Sequence, residues 1–183
     1  MKFWIDSIHA RDLDLALMYA FASDPSYAGI FLRKDTSGSK ILSLSLNNDK
    51  EIRVADLTAI LEIDGKRTAL LIDDSVINML KSGQINKLQS EGEKLVRDGI
   101  ADSYFFCVIG PQNYIDQNQH LLSDITCISY EQIKARLTGN QLLDFMLKRA
   151  IEERKIAYSE KANRKLSNTG PNTMIMSSRN ILT

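Results

Sequence analysis

No stretch of this chain approaches the roughly 20 apolar residues needed to span a bilayer, so no membrane contact is expected. The opening residues, Met1 to His9, hold neither a long apolar core nor a cleavage site. They predict no secretory leader, and the cytoplasm is the expected compartment. Cysteine is scarce. Cys107 and Cys127 both sit in apolar, strand-like runs, and neither belongs to a Cys-x-x-Cys. That argues against a structural zinc site and favours two reduced thiols over a disulfide. Charge of one sign is also lacking: 23 basic and 23 acidic residues cancel. With no global basic field, nucleic-acid binding would need a local groove and would be modest at physiological salt. His9 and His120 lack metal-ligand spacing. Gly65, Gly83 and Gly110 form no phosphate-binding loop. No Gly-x-Ser-x-Gly elbow presents a nucleophilic serine.

What is present fits a soluble globular domain. The length of 183 residues allows one sizeable core, and 44% of residues are hydrophobic against 25% charged. Asp12 to Ala22 has the spacing of a mostly buried helix, ended by Ser23-Asp24-Pro25, and a short helix is expected over Tyr27 to Arg33. Ile41 to Leu46 alternates as a strand with one buried face, and Asn47 to Asp49 reads as a turn. Glu51 to Ile63 and Arg67 to Ile72 form two further strands, paired through a tight Asp64-Gly65 turn. Gln84 to Arg97 has helical spacing and stops at Gly99. Ser103 to Ile109 is a continuous apolar run, as in a central strand, ended by Gly110-Pro111. A short strand over Asp124 to Ile128 and helices over Tyr130 to Leu137 and Asn140 to Tyr158 complete the pattern. This order predicts an α/β sandwich around a mixed sheet. The expected domain covers residues 1–158, with a polar tail over 159–183.

The densest functional signal lies between Val54 and Val76. Asp56 falls early in one strand, and Asp73-Asp74 follow the apolar run Ala69-Leu70-Leu71-Ile72 of the next. Carboxylates at the ends of neighbouring strands can converge on one divalent ion, as a phosphodiesterase requires. The plainer alternative is that acids at strand ends serve turns and helix caps. The basic runs Lys148-Arg149, Arg154-Lys155 and Lys161 to Lys165 could line a nucleic-acid groove. Glu152, Glu153 and Glu160 interleave with them, which favours a salt-bridged solvent face.

In order and spacing these residues resemble the PD-(D/E)XK nuclease superfamily, in particular its small bacterial and phage branch. Ile8 to Leu15 resembles the opening helix of that branch. Val54-Ala-Asp56-Leu matches the strand bearing the first motif aspartate. Leu71-Ile-Asp73-Asp74-Ser75-Val76 matches the acidic-x-lysine strand. Gly83-Gln84 to Gly92, then Asp102 to Pro111 and Tyr114, match the next helix and strand. The resemblance implies a restriction-endonuclease-like αβ sandwich, a central mixed sheet flanked by helices. It assigns Asp56 and Asp73 to a Mg²⁺ or Mn²⁺ ion, with Asp74 assisting, and places Gln84 on the helix beside the site.

The chain departs from the family pattern at three places. Ser75 stands where the family carries lysine, Leu88 replaces an aromatic residue, and Tyr19-Ala20 stands where glutamates are expected. The lysine would orient water and stabilise the oxyanion, and losing such a charge from a water-poor site costs several kcal/mol of barrier. Of the nearby lysines Lys66, Lys81 and Lys87, the last shares a helix face with Gln84 and is the best placed to substitute. The expectation is therefore a catalytically degenerate nuclease fold that binds DNA, RNA or a protein partner. An active metal-dependent nuclease using Asp56, Asp73, Ser75, Gln84 and Lys87 is the alternative. A third possibility is an interaction module whose acidic pair is only a cap. The strand over Ile41 to Leu46, if it is a sheet edge, could also support a homodimer.

Overall fold

The centre of the fold is set by two residues with left-handed backbones. Asp64 and Gly65 have φ of 53° and 74°. Positive φ at both central positions belongs to the type I′ turn, whose twist suits the strands it joins. It connects β2 (Leu57–Ile63) to β3 (Lys66–Asp74) in unbroken antiparallel register, from Ile63 opposite Lys66 to Leu57 opposite Ile72. The computed structural model describes residues 10–47, 55–74, 82–118, 120, 122, 125–137 and 139–153. Within them, β1 (Lys40–Leu46) pairs antiparallel with β2, β4 (Ser103–Gly110) parallel with β3, and β5 (Thr126–Ser129) parallel with β4. The sheet is mixed and five-stranded, in the order β1-β2-β3-β4-β5. The chain is thus the expected α/β sandwich, with helices on both faces of the sheet.

Alternation along β3 assigns the two faces. Leu70 and Ile72 point into the larger core, where they meet Leu13, Leu17 and Phe21 of α1 (Ala10–Ser23) and Phe31 of α2 (Ala28–Leu32). Tyr130 and Ile133 of α5 (Tyr130–Arg136) and the helix over residues 141–153 cover the same face. Ala69 and Leu71 point the other way, under Leu88 of α3 (Ser82–Arg97). Burying each such aliphatic side chain contributes roughly 1.5–3 kcal/mol. Gly92 lets α3 approach β4: a Cβ there would lie 2.2 Å from the Tyr104 ring.

Several local expectations change. The alternation over Ile41 to Leu46 is interrupted by a register shift between Ile41 and Ser43, which leaves Leu42 48% exposed. The bulge turns Ile41, Leu44 and Leu46 toward the core in place of the strict series. Regular β2 begins at Leu57, so Asp56 precedes the strand instead of lying within it. The start expected at Glu51, the turn over Asn48-Asp49 and the 159–183 tail fall outside the described residues. An unexpected helix α4 (Gln112–Gln117) follows Gly110, with Pro111 at its N-cap. The last strand runs over Thr126–Ser129, two residues later than expected at its start.

Both cysteines are free thiols, Cys107 buried and Cys127 half-buried. Arg149 pairs with Glu152 and Glu153 at 3.9 and 3.2 Å, as a salt-bridged helix face does. No helix among the described residues is long and apolar enough to cross a membrane.

A candidate acidic site at the end of the central hairpin

The hairpin register that ends at Leu57 and Ile72 brings the residues just beyond it side by side. Asp56 lies one residue before β2, and Asp73-Asp74 are the last two of β3. The Asp74 backbone N–H donates to Asp56 Oδ2 at 2.7 Å, so a side chain takes over where the backbone ladder stops. Glu91 of α3 accepts from the Ala55 N–H at 3.1 Å and holds the segment that carries Asp56.

Asp73 and Asp74 point to opposite faces of the sheet. Asp73 shares the α3 face with Ala69 and Leu71 and is 2% exposed. There the Gln84 side-chain amide donates to both of its carboxylate oxygens, at 3.0 and 2.9 Å. Gln84, Leu88 and Glu91 recur at helical spacing along α3, so one helix face supplies an amide, an apolar contact and a carboxylate to the hairpin end. Asp74 shares the opposite face with Leu70 and Ile72, where the Tyr130 hydroxyl at the start of α5 donates to its Oδ1. Tyr130 is held there by a capping box: Gln132 N–H donates to Ser129 Oγ, and Ser129 N–H to Gln132 Oε1, at 3.1 and 3.0 Å.

Asp14 is the acid that sequence reasoning missed. It lies on the first turns of α1, is 5% exposed, and its Oδ1 has no hydrogen-bond partner among the described residues. Burial raises its pKa from the ordinary 3.8 to about 7; the neighbouring Asp56 and Asp73 charges push the same way, and Arg11 opposes them. The Arg11 guanidinium also donates to the Asn47 carbonyl oxygen at 3.1 Å. The signal was in the sequence. Asp14, Leu17 and Phe21 follow the three-and-four spacing of the buried stripe, so an acid sits where the pattern calls for an apolar residue.

Of the residues expected to act together, the structure gathers Asp56, Asp73 and Gln84 and adds Asp14 and Glu91. Lys87 is exposed on α3 and makes no hydrogen bond or ion pair with these carboxylates. Ser75 lies outside the described residues. All-oxygen donors such as Asp14, Asp56 and Asp73 suit a hard divalent cation in their chemistry, and the unpartnered Asp14 oxygen fits that use. Among the described residues, however, no three His, Cys, Asp or Glu side chains are arranged to hold one ion. The chain matches no family model, no curated protein and no solved structure.

Proposed function

We propose that this protein is a PD-(D/E)XK-like nuclease fold with an altered metal site that acts by binding nucleic acid or a protein partner, not by cutting. The element order supports the fold reading: opening helices, a three-strand meander, a helix and a parallel strand, with acids where the second and third strands meet. One observation carries the degenerate reading. Both oxygens of the Asp73 carboxylate are engaged by the neutral Gln84 amide. A neutral amide orients a carboxylate but supplies no charge to an attacking water or a pentavalent phosphate.

Active metal-dependent hydrolysis of DNA or RNA is the second reading, and Asp14 is the observation in its favour. Three buried or partly buried carboxylates repel one another, and a cation would relieve that repulsion. A bound Mg²⁺ or Mn²⁺ would supply a water of lowered pKa and positive charge at the phosphate. Asp56 and Asp73 would hold it, Gln84 would fix the Asp73 carboxylate, and Asp14 could carry a proton near neutral pH.

Calorimetric titration of Mg²⁺ and Mn²⁺ separates the readings, comparing wild type with Asp56→Ala and Asp73→Ala. It is run beside gel-shift and cleavage assays on mixed DNA and RNA. The degenerate reading expects weak or absent metal binding, no cleavage, and complexes that form without metal. Metal-dependent cleavage that both substitutions abolish would replace it with the active one.

A further inference from the structure

The turn that follows α2 is built more tightly than its Asp-Thr-Ser-Gly-Ser composition suggests. Arg33 ends the helix in the left-handed region, φ 52° and ψ 35°, with its N–H on the Gly29 carbonyl. Glycine is the usual residue there, and any L side chain adds a steric cost. A Cβ on Gly29 would stand 2.6 Å from the Lys34 carbonyl oxygen and 2.9 Å from Thr36 Oγ1, so the turn folds directly onto the helix. Thr36 is buried and donates through Oγ1 to the Ser26 carbonyl at 3.0 Å. The Ser39 N–H returns to the Thr36 carbonyl at 3.0 Å. Arg33 and Lys34 are thus presented from backbone pinned on both sides.

Opposite them, the last turn of α5 presents Arg136, one turn after Gln132. Between the two elements lies an open cleft of about 570 Å³, with Ile128 of β5 in its wall. That is within the roughly 300–1,000 Å³ of small-molecule sites. Three cations face it, and among the described residues none has an ion-pair partner. The single acid in the lining, Asp35, is turned to its own loop, where the Ser37 N–H and hydroxyl donate to it at 2.8 and 2.6 Å. The Arg33 guanidinium is close enough to act on Cys127, whose thiol burial nonetheless pushes up to about 11. A basic residue near a helix C-terminus is ordinary, and that accounts for Arg136. It does not account for arginine in a backbone conformation that glycine adopts without strain. Backbone outliers of this kind cluster at functional sites.

We propose that this cleft binds a phosphate-bearing small molecule, with the Arg33 and Arg136 guanidiniums on the phosphate and Lys34 adding charge. Guanidinium forks match phosphate oxygens in pairs, and like charges lining a concave wall raise the local anion concentration. This inference does not depend on the nuclease reading.

Titrations of inorganic pyrophosphate, ADP and adenosine test it, with the full-length chain in low salt. EDTA is present so that no metal at the acidic site can recruit phosphate. Pyrophosphate and ADP should bind and adenosine should not. Arg33→Gly and Arg136→Gln should each weaken binding at least tenfold. Unliganded Arg33→Gly should melt no lower than wild type, because glycine removes the left-handed strain; this separates a lost ligand contact from a damaged fold. ADP tighter than pyrophosphate would identify a nucleotide as the source of the phosphate, and equal affinity an inorganic one. The inference is overturned if neither phosphate compound binds at millimolar concentration, if adenosine binds as well as ADP, or if both substitutions leave affinity unchanged.

Discussion

Replacing Asp14 by asparagine should make the protein more stable relative to wild type as pH rises from 4 to 7. Asp14 has a pKa of about 7 in the folded chain, against an ordinary 3.8. Between those values the folded state holds a proton that the unfolded state has released. Wild-type stability therefore falls with pH through this window, by up to about 1.4 kcal/mol per pH unit, and levels off above 7. The whole interval corresponds to about 4 kcal/mol, an upper figure because water and side-chain rearrangement soften buried charges. Asparagine carries no charge and loses the pH dependence. It also brings an amide into a pocket where Asp14 Oδ1 already lacks a partner, at a cost of about 1–3 kcal/mol. That cost is the same at every pH, so the diagnostic quantity is the slope of the difference, not its sign at one pH. Urea unfolding of both proteins between pH 4 and 8 measures it, and the shared carboxylates cancel in the subtraction. A flat difference would mean that Asp14 is ionised throughout and matched by Arg11, and the argument from repulsion among Asp14, Asp56 and Asp73 would fail.

Tyr130→Phe removes a donor to the buried Asp74 carboxylate and should cost about 1.5–3 kcal/mol in urea unfolding at pH 7; a loss under 0.5 kcal/mol would mean that water or another donor replaces the hydroxyl. Gly92→Ala drives a methyl into the Tyr104 ring, displaces α3 from β4, and should lower stability by about 1–3 kcal/mol, read as a drop in Tm. An unchanged Tm would show that the ring swings aside freely.

The central hairpin was legible because Asp64-Gly65 is the pair that a two-residue turn with positive φ selects, and the apolar runs on either side fixed its register. The helix α4 was not, because Gly110-Pro111 reads equally as the end of a strand and as the start of a helix; proline suits a helix N-terminus as well as a break. Leu42 misled for a similar reason. Its alternation with Ser43 and Leu44 is real, but one inserted residue in the pairing with β2 redistributes the faces, and composition does not record a bulge. In the site, Asp73 and Asp74 read as one acidic pair. The pleat separates them, giving Asp73 to Gln84 and Asp74 to Tyr130. Asp14 and Glu91 come from helices distant in the chain from Asp56, so their approach is a tertiary fact. Only the misplaced acid in the apolar stripe of α1 hinted at it.

Gln84 is where the two functional readings meet, and one substitution there tests the physics common to both. Its amide orients Asp73 without offsetting its charge, and that charge adds a smaller push to the burial that keeps a proton on Asp14. An ammonium at the same position would offset that charge directly. Gln84→Lys should therefore draw the Asp14 pKa back toward the ordinary carboxylate range, because a cation beside Asp73 lowers the field that Asp14 feels. The wild-type decline in stability between pH 4 and 7 should become shallower, and any divalent-cation affinity should fall as the lysine competes for the same carboxylates. Burial is the larger cause of the Asp14 shift, so the slope should flatten only in part and stay steeper than in Asp14→Asn. If Gln84→Lys leaves the slope unchanged while Asp14→Asn removes it, burial alone sets the Asp14 pKa. The three carboxylates would then be neighbours without being a coupled site, and the case for a cation among them would lose its physical basis.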